Sequence, residues 1–443
     1  MPARLGGRLP ACQAAGRAHA RYGRSMATAA PGERRSADRA GAAVVSAGPA
    51  HVAVVSFLAA RAAPTGGFWI ALAGGVALAR VAQRRGARLG FGASIAAMLE
   101  TVAIIGPARL GVPLTQAATA PMLGRLEARG WAVAPQVLAC GAIRLIHNTA
   151  TTAFFIWVIA GGLDAYAGTY DALGRRLGLE AGTADALALT AAGLLAWAAF
   201  ASTVQVLVYR RGLRRWDAET AASEAGKPRK PDHASYVKRN NSVERSARGE
   251  NASPKDAVGR RFDPRAVAVA AAVAFALLLA STAWALLGAV AVWLAAAWVV
   301  SKPDREPLPT GFVFAGVLAG GALVFALGGG LGLDVALRRA TRAALLVLVA
   351  TWLRAAAGAE GLREISRRAL GRLRRLPAVP EAAVVLDALA SEGRLMAAGR
   401  ALATRLGGVR KRPLPVLDAV LGWVVRESDA PPHRATRAET SRL

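Results

Sequence analysis

An uninterrupted apolar run in the second half of the chain constrains the fold more than any other feature. Residues 267–300 contain no Asp, Glu, Lys, Arg or His. A helix in a soluble core keeps a polar stripe, which this run lacks, and roughly 20 apolar residues are enough to cross the hydrocarbon core of a bilayer. Because the run exceeds that length, it predicts two closely spaced membrane spans, at residues 266–283 and 285–300.

The rest of the sequence repeats this pattern of apolar segments separated by basic connectors. Hydrophobic residues make up 54% of the chain and charged residues 19%, whereas a soluble domain averages about 25% charged residues. The predicted fold class is an all-α, polytopic helical membrane protein of about 9–10 spans in two bundles. The other predicted spans are 42–60, 66–82, 91–106, 108–123, 133–160, 184–208, 311–327 and 336–356. The third and fourth of the first bundle are short enough to be re-entrant or broken.

The basic residues predict how the chain is oriented in the membrane. The formal net charge is +28, and Lys and Arg crowd between the apolar segments, as the positive-inside rule describes for cytoplasmic loops. Connectors 80–88 and 125–130 are basic, whereas segment 161–185 is acidic and aromatic. We therefore expect a multi-pass protein of the cell (inner or plasma) membrane with both termini in the cytoplasm. Because this arrangement accounts for the charge, the expected partner is the lipid bilayer and not nucleic acid.

Composition divides the chain into six predicted segments. They are a disordered basic N-terminal tail (1–40), a six-span membrane bundle (41–209), a cytoplasmic hydrophilic linker (210–264), a second membrane bundle (265–357), amphipathic cytoplasmic or interfacial helices (358–425) and a disordered tail (426–443). The amphipathic assignment rests on residues 361–376, where leucines share one helical face and arginines surround it. The last span of the second bundle carries Arg338, Arg339, Arg342 and Arg354, so we expect it to be partly interfacial.

The sequence lacks the common motifs of catalysis. Hydrolase, metalloprotease, dinucleotide-binding and Walker signatures are absent from the sequence. Cys12 and Cys140 are the only cysteines, too few for a multi-thiolate metal site. We therefore predict that the chain is not an enzyme and that it has neither a cofactor nor a metal site.

Polar residues inside the predicted spans are the candidate substrate site. Arg144, His147 and Asn148 lie at i, i+3 and i+4 and share one face of the fifth span, while Glu100 and Gln116 lie in the third and fourth spans. Ionisable groups at this depth normally face a bundle interior or a wet cavity. In the functional interpretation, these five residues line a substrate or ion site near the midplane. In the structural alternative, Arg144 pairs with Glu100, and His147 and Asn148 join two helices by hydrogen bonds.

Residues 261–389 carry a short motif followed by a distinctive order of helices. Residues 262–265 read Phe-Asp-Pro-Arg, and two closely spaced apolar helices, a third helix, a Gly-containing turn, an Arg-bearing span and an amphipathic stretch follow. This order resembles the transmembrane T component of energy-coupling factor transporters, which opens with Leu-Asp-Pro-Arg. The resemblance implies ATP-binding-cassette ATPase subunits as partners and a small-molecule solute as cargo. It also implies coupling to the partner through arginines of the amphipathic stretch, namely Arg363, Arg367, Arg368, Arg372 and Arg375.

Three functions are compatible with the sequence. The expected one is a membrane transport component, the permease-type subunit of a small-solute uptake system energised by a separate ATPase. The alternative is a non-transporting scaffold or assembly protein whose basic surface helices bind lipid or a cytoplasmic partner. A membrane-embedded enzyme using Glu100, His147 and Arg144 as acid–base groups is the third, and it has the least support because the chain offers few acids and no metal set.

Overall fold

The computed structural model describes residues 41–62, 67–107, 112–176, 178, 182–225, 262–302, 307–389, 392–409 and 412–429. Within these ranges 90% of the structure is helical and no residue forms a strand, which confirms the predicted all-α class. The predicted N-terminal tail lies outside the described residues, as do residues 226–261 of the predicted linker and residues 430–443 of the predicted C-terminal tail.

Fourteen helices make up the described part of the chain. The first seven are α1 (Ala47–Ala62), α2 (Gly67–Arg85), α3 (Ala87–Ile105), α4 (Val112–Ala128), α5 (Val133–Phe154), α6 (Leu163–Arg176) and α7 (Thr183–Ala225). The second seven are α8 (Pro264–Ala280), α9 (Trp284–Ser301), α10 (Leu308–Gly328), α11 (Leu333–Arg372), α12 (Val379–Leu389), α13 (Glu392–Gly407) and α14 (Pro413–Asp429). A six-residue π-helix, Phe155–Ala160, extends α5.

Seven helices among the described residues are long and apolar enough to cross a membrane. They are α1 with the helical turn before it, α3, α5 with its π-helical end, α7, α9, α10 and α11. The chain is therefore a polytopic helical membrane protein, as its sequence predicts. Helix α8 is apolar but shorter. Helices α2 and α4, which coincide with two further predicted spans, are not among the seven.

Helix α2 is the centre of the first hydrophobic core. Every residue of α2 from Ile70 to Ala82 is buried, because α1, α3, α4, α7 and α14 all pack around it. Small residues permit this close approach. A Cβ added at Gly75 would lie 1.7 Å from Tyr209 Oη of α7, and one at Gly124 of α4 would lie 1.9 Å from the carbonyl oxygen of Ala79.

The three C-terminal helices return to this first core. Helix α12 packs on α3, α13 on α1, and α14 on both α1 and α2. Leu421 and Val424 of α14 are fully buried there, and Asp418 forms an ion pair with Arg211 of α7 at 3.1 Å. The helices that the sequence assigns to an amphipathic segment, residues 358–425, thus share one core with the first four helices. Helix α7 also continues to Ala225, so residues 210–225 of the predicted linker are helical.

The second hydrophobic core forms around α11, which packs against α8, α9 and α10. Its buried residues include Leu278 of α8, Leu294 of α9 and Trp352 of α11. Helix α11 runs for 40 residues and bends at Gly358, whose backbone adopts φ 68° and ψ 172°. A positive φ of this kind favours glycine. Beyond the bend Leu362 still packs in the second core, and the amphipathic end of α11 turns toward α3 and α12.

Two arginines of α11 bind the C-terminal ends of neighbouring helices. Arg342 is buried and donates to the carbonyl oxygens of Leu278, Leu279 and Val158, the last two at 2.8 and 3.0 Å. Arg354 donates to the carbonyl oxygen of Ile104 at 2.8 Å. The last carbonyls of a helix lack intrahelical donors and carry partial negative charge, so a guanidinium satisfies them. These contacts explain how a helix rich in arginine is accommodated among apolar neighbours.

Candidate functional site

A buried polar cluster lies where α4, α5 and α7 meet, with Gln205 of α7 at its centre. The side-chain carbonyl of Gln205 accepts hydrogen bonds from Arg144 Nη2 at 2.5 Å and from Cys140 Sγ at 3.3 Å. Its amide nitrogen donates to Thr119 Oγ1 of α4 at 2.7 Å. All four side chains are buried. One residue of α7 therefore joins α4 and α5 at this level.

A second buried hydrogen bond extends the cluster toward α2. Tyr209 lies about one helical turn from Gln205, and its hydroxyl donates to Gln116 Oε1 of α4 at 2.9 Å. The Tyr209 ring also lies against Gly75 of α2. Two of the predicted site residues, Gln116 and Arg144, are thus brought into one cluster although they lie on different helices. We call the set Thr119, Gln116, Cys140, Arg144, Gln205 and Tyr209 the Arg144 cluster.

The Arg144 cluster carries a positive charge that no described carboxylate neutralises. Arg144 is 3% exposed, and its partner is the neutral amide of Gln205. Its Nε, like the amide nitrogen of Gln116, is buried without a hydrogen-bond partner among the described residues. An arginine stays protonated in a protein, and a buried charge is costly unless it is paired. The cluster therefore offers both charge and free donors to a ligand that accepts hydrogen bonds.

His147 and Asn148 continue the same face of α5 beyond Arg144. Both are partly buried, and the Asn148 amide nitrogen has no hydrogen-bond partner within the described ranges. Thr151, the next polar residue on this face, donates to the backbone carbonyls of His147 and Asn148 at 3.0 and 2.9 Å. Above Thr151 a cavity of about 470 Å³ opens between α5, α6, α7 and Phe325 of α10. The predicted pair thus lies between the Arg144 cluster and this cavity.

Glu100 lies in a different place from the other predicted site residues. Its carboxylate is buried and binds Arg363 of α11, with Arg363 Nη2 at 2.6 Å and Arg363 Nε at 3.0 Å. The alternative pairing of Glu100 with Arg144 is therefore not made, because each of them has another partner. The bend of α11 at Gly358 allows this, since it directs the helix beyond the bend toward α3. Glu100 ties the two cores together instead of lining the Arg144 cluster.

The arginines predicted to couple to a partner divide into two groups. Arg363 binds Glu100, Arg367 binds Glu360 and Asp387, and Arg368 binds Glu364. Arg372 and Arg375 are exposed, and neither forms an ion pair within the part of the chain that the structure describes. Residues 371–377 are all exposed, including Leu373 and Leu376. Of the five predicted coupling arginines, Arg372 and Arg375 are thus the two that are exposed and have no ion pair within the described ranges.

The sequence interpretation missed Gln205, Thr119 and Tyr209. Gln205 lies 61 residues from Arg144 along the chain, so no local spacing connects them. A signal was nonetheless present, because Gln205 is a lone amide inside the apolar run of the sixth predicted span, and such residues usually face a polar partner. Its partner on another helix becomes apparent only when α5 and α7 are packed together.

No group of three or more His, Cys, Asp or Glu in the described ranges is arranged to hold a metal ion. Comparison of the chain with protein-family models, curated proteins and solved structures gives no match. The chemistry of the Arg144 cluster therefore follows from its own residues.

Proposed function

We propose that the chain is a membrane transport component, the permease-type subunit of a small-solute uptake system energised by a separate ATPase. The observation that carries the proposal is the Arg144 cluster, in which a buried guanidinium has a neutral partner and a free Nε. Such a group in a membrane protein is expensive and marks a ligand or ion pathway. A purely structural cluster would gain from a carboxylate beside Arg144, as Arg363 has in Glu100.

The C-terminal helices provide a route from a cytoplasmic partner to the membrane core. Arg367 joins the end of α11 to Asp387 of α12 at 2.8 Å, and α12 is held to α3 by Glu381 and Arg88 at 2.7 Å. A displacement of the exposed turn after α11 by a bound partner would therefore be transmitted to α3 and to its neighbours in the first core. This arrangement supports coupling to an ATPase, and in the proposal this surface, both termini and the basic connectors face the cytoplasm of the cell membrane.

A scaffold that binds anionic lipid is the second candidate, and the same surface favours it. Arg372, Arg374 and Arg375 are exposed beside exposed Leu373 and Leu376. Basic side chains next to apolar ones are typical of segments that rest on an anionic bilayer surface. In that case the Arg144 cluster would have a structural role and the chain would carry no solute.

Affinity purification in mild detergent separates the two candidates. We expect an ATP-binding-cassette subunit to purify with the tagged chain in fixed proportion, and the double variant R372E/R375E to lose it. The matched control, R400E/R405E, reverses two exposed arginines of α13 and should retain the subunit. A chain that purifies only with lipid, and whose lipid binding falls in R372E/R375E, would refute the transport proposal and support the scaffold.

A further inference from the structure

The cavity beside α6 and the Arg144 cluster lie on one continuous face of α5. Thr151, Asn148 and Arg144 follow one another at helical spacings that keep them on the same side. The rise from Arg144 to Thr151 is about 10 Å at 1.5 Å per residue. Helix α7 provides the opposite wall, with Thr190 at the cavity and Gln205 at the cluster. The two polar regions therefore lie at the two ends of one polar face of α5 that packs on α7, and we call this face the path.

The upper end of the path is open and polar but uncharged. Hydroxyl groups of Thr151, Thr190 and Tyr166 line the cavity, and none of its lining residues is Asp, Glu, Lys, Arg or His. It is a shallow groove of about 470 Å³ that is open on one side, so a small solute could enter it without rearrangement of the helices. The side of α5 opposite Arg144 is exposed at Ile146.

Among the described residues that line the cavity or belong to the Arg144 cluster, Arg144 is the only charged one. No acidic residue lines the cavity, and Arg144 has Gln205 as its hydrogen-bond partner. The unpartnered amide nitrogen of Asn148 lies between the two ends. A cation would meet repulsion from Arg144 here, and a neutral solute would leave the guanidinium unpaired. An anion would satisfy Arg144 Nε and gain a charge-assisted hydrogen bond.

We infer that this path admits a small anion from the α6 side of the membrane and brings it to Arg144. The ligand is a compact inorganic or carboxylate anion that accepts hydrogen bonds from the guanidinium and from the Asn148 amide. This inference rests on the proposed transport function, to which it adds the charge of the solute and the side from which it enters. The anion enters at the cavity, passes Asn148 and binds to Arg144.

Cysteine accessibility tests the path without knowledge of the solute. Asn148→Cys and Thr151→Cys are made in a background with Cys12→Ser and Cys140→Ser, where serine keeps a donor for Gln205. Purified variants in lipid vesicles are treated with an anionic sulfonatoethyl or a cationic trimethylammonioethyl methanethiosulfonate reagent. The matched control is Ile146→Cys, which lies on the same turn of α5 with its side chain 71% exposed on the lipid-facing side.

We expect both path cysteines to react and Ile146→Cys to stay unmodified, because a thiol in hydrocarbon does not ionise readily. The anionic reagent should react more than about a hundredfold faster than the cationic one at Asn148→Cys, because a unit charge roughly 10 Å away at an effective dielectric constant of about 20 attracts the first reagent and repels the second. Arg144→Lys should keep this preference and Arg144→Gln should remove it. Millimolar inorganic phosphate or acetate should slow the reaction, whereas choline should not.

Two results would overturn the inference. One is an Asn148→Cys thiol as unreactive as Ile146→Cys, which means that no water reaches this face. The other is a preference for the anionic reagent that is absent from Asn148→Cys or that persists when Arg144→Gln is added. If Arg144→Gln does not fold, the absence of the preference in Arg144→Lys, or of competition by phosphate, overturns the inference instead. The transport proposal fails separately. A charge preference without a co-purifying ATPase would support the anion path and refute energised uptake. A co-purifying ATPase without a charge preference would support energised uptake and refute the anion path.

Discussion

The buried ion pair between Glu100 of α3 and Arg363 of α11 allows the sharpest test of how the two cores are held together. The Glu100 side chain is 0% exposed and the Arg363 side chain 3%, and hydrogen bonds of 2.6, 3.0 and 3.2 Å join them. Glu100→Gln keeps the shape of the side chain and removes its charge. The guanidinium of Arg363 then stays buried without the Glu100 carboxylate, while Glu360 remains at 3.2 Å.

The expected loss of stability follows from this geometry. Removing one partner of a buried pair costs about 3–5 kcal/mol, because the other charge is left without compensation. We expect the lower end of that range, about 3 kcal/mol, since Glu360 still contributes. At about 2 °C per kcal/mol for a large chain, the Tm should fall by about 6 °C. Thermal unfolding of the detergent-purified protein, followed by tryptophan fluorescence, measures this shift.

Glu364→Gln is the matched control. Glu364 pairs with Arg368 one turn away on the same helix at 2.7 Å, but both side chains are more than a third exposed. Exposed pairs contribute about 0–1 kcal/mol, so the Tm should hardly change. The double variant Glu100→Gln, Arg363→Met should recover part of the stability, because no buried charge remains. A Tm loss in Glu100→Gln no larger than in Glu364→Gln, or a double variant less stable than Glu100→Gln, would refute this reasoning.

Two further predictions concern helix packing. Arg342→Leu leaves the C-terminal carbonyls of Leu278 and Val158 without their donor, and because a buried unsatisfied group costs about 1–3 kcal/mol it should destabilise by at least that much. Arg338→Leu, at a partly exposed position of the same helix where the partner is Asp334, should cost no more than about 1 kcal/mol. Equal Tm values for the two variants would contradict the capping role. Gly75→Ala overpacks the contact with Tyr209 and should lower the free energy of unfolding by about 1–3 kcal/mol, measured in a denaturant titration. Tyr209→Phe should restore part of this stability. An unchanged free energy of unfolding in Gly75→Ala would show that α2 and α7 can separate freely.

Local patterns in the sequence predict the helices but not their partners. The apolar run at residues 267–300 predicts α8 and α9 to within a few residues, because length and hydropathy are local properties. Spacing on one helix likewise puts Arg144 and Asn148 on one face. The partner of Glu100 lies 263 residues away, and no periodicity encodes such a distance. For the same reason the sequence does not predict that Gln205 is the partner of Arg144.

The long-range contacts also explain why the arginines of the last predicted span look misplaced in the sequence. Hydropathy treats Arg342 as a charge that must reach water, and the sequence therefore predicts a partly interfacial helix. Its guanidinium instead satisfies carbonyls of α8 and of the π-helix after α5. Those helix ends come from two separate parts of the chain, so the compensation exists only in the packed structure.

The position of α14 has a consequence for synthesis of the chain. Helix α2 is buried on all sides, and α14 covers part of it with Leu421 and Val424. A ribosome makes α2 hundreds of residues before α14, so the side of α2 that faces α14 lacks this partner until α14 has been made. Lipid, a chaperone or the translocation machinery must cover it meanwhile. We expect the first core to mature only after α14 has been synthesised, which makes this helix a checkpoint for assembly of the first core.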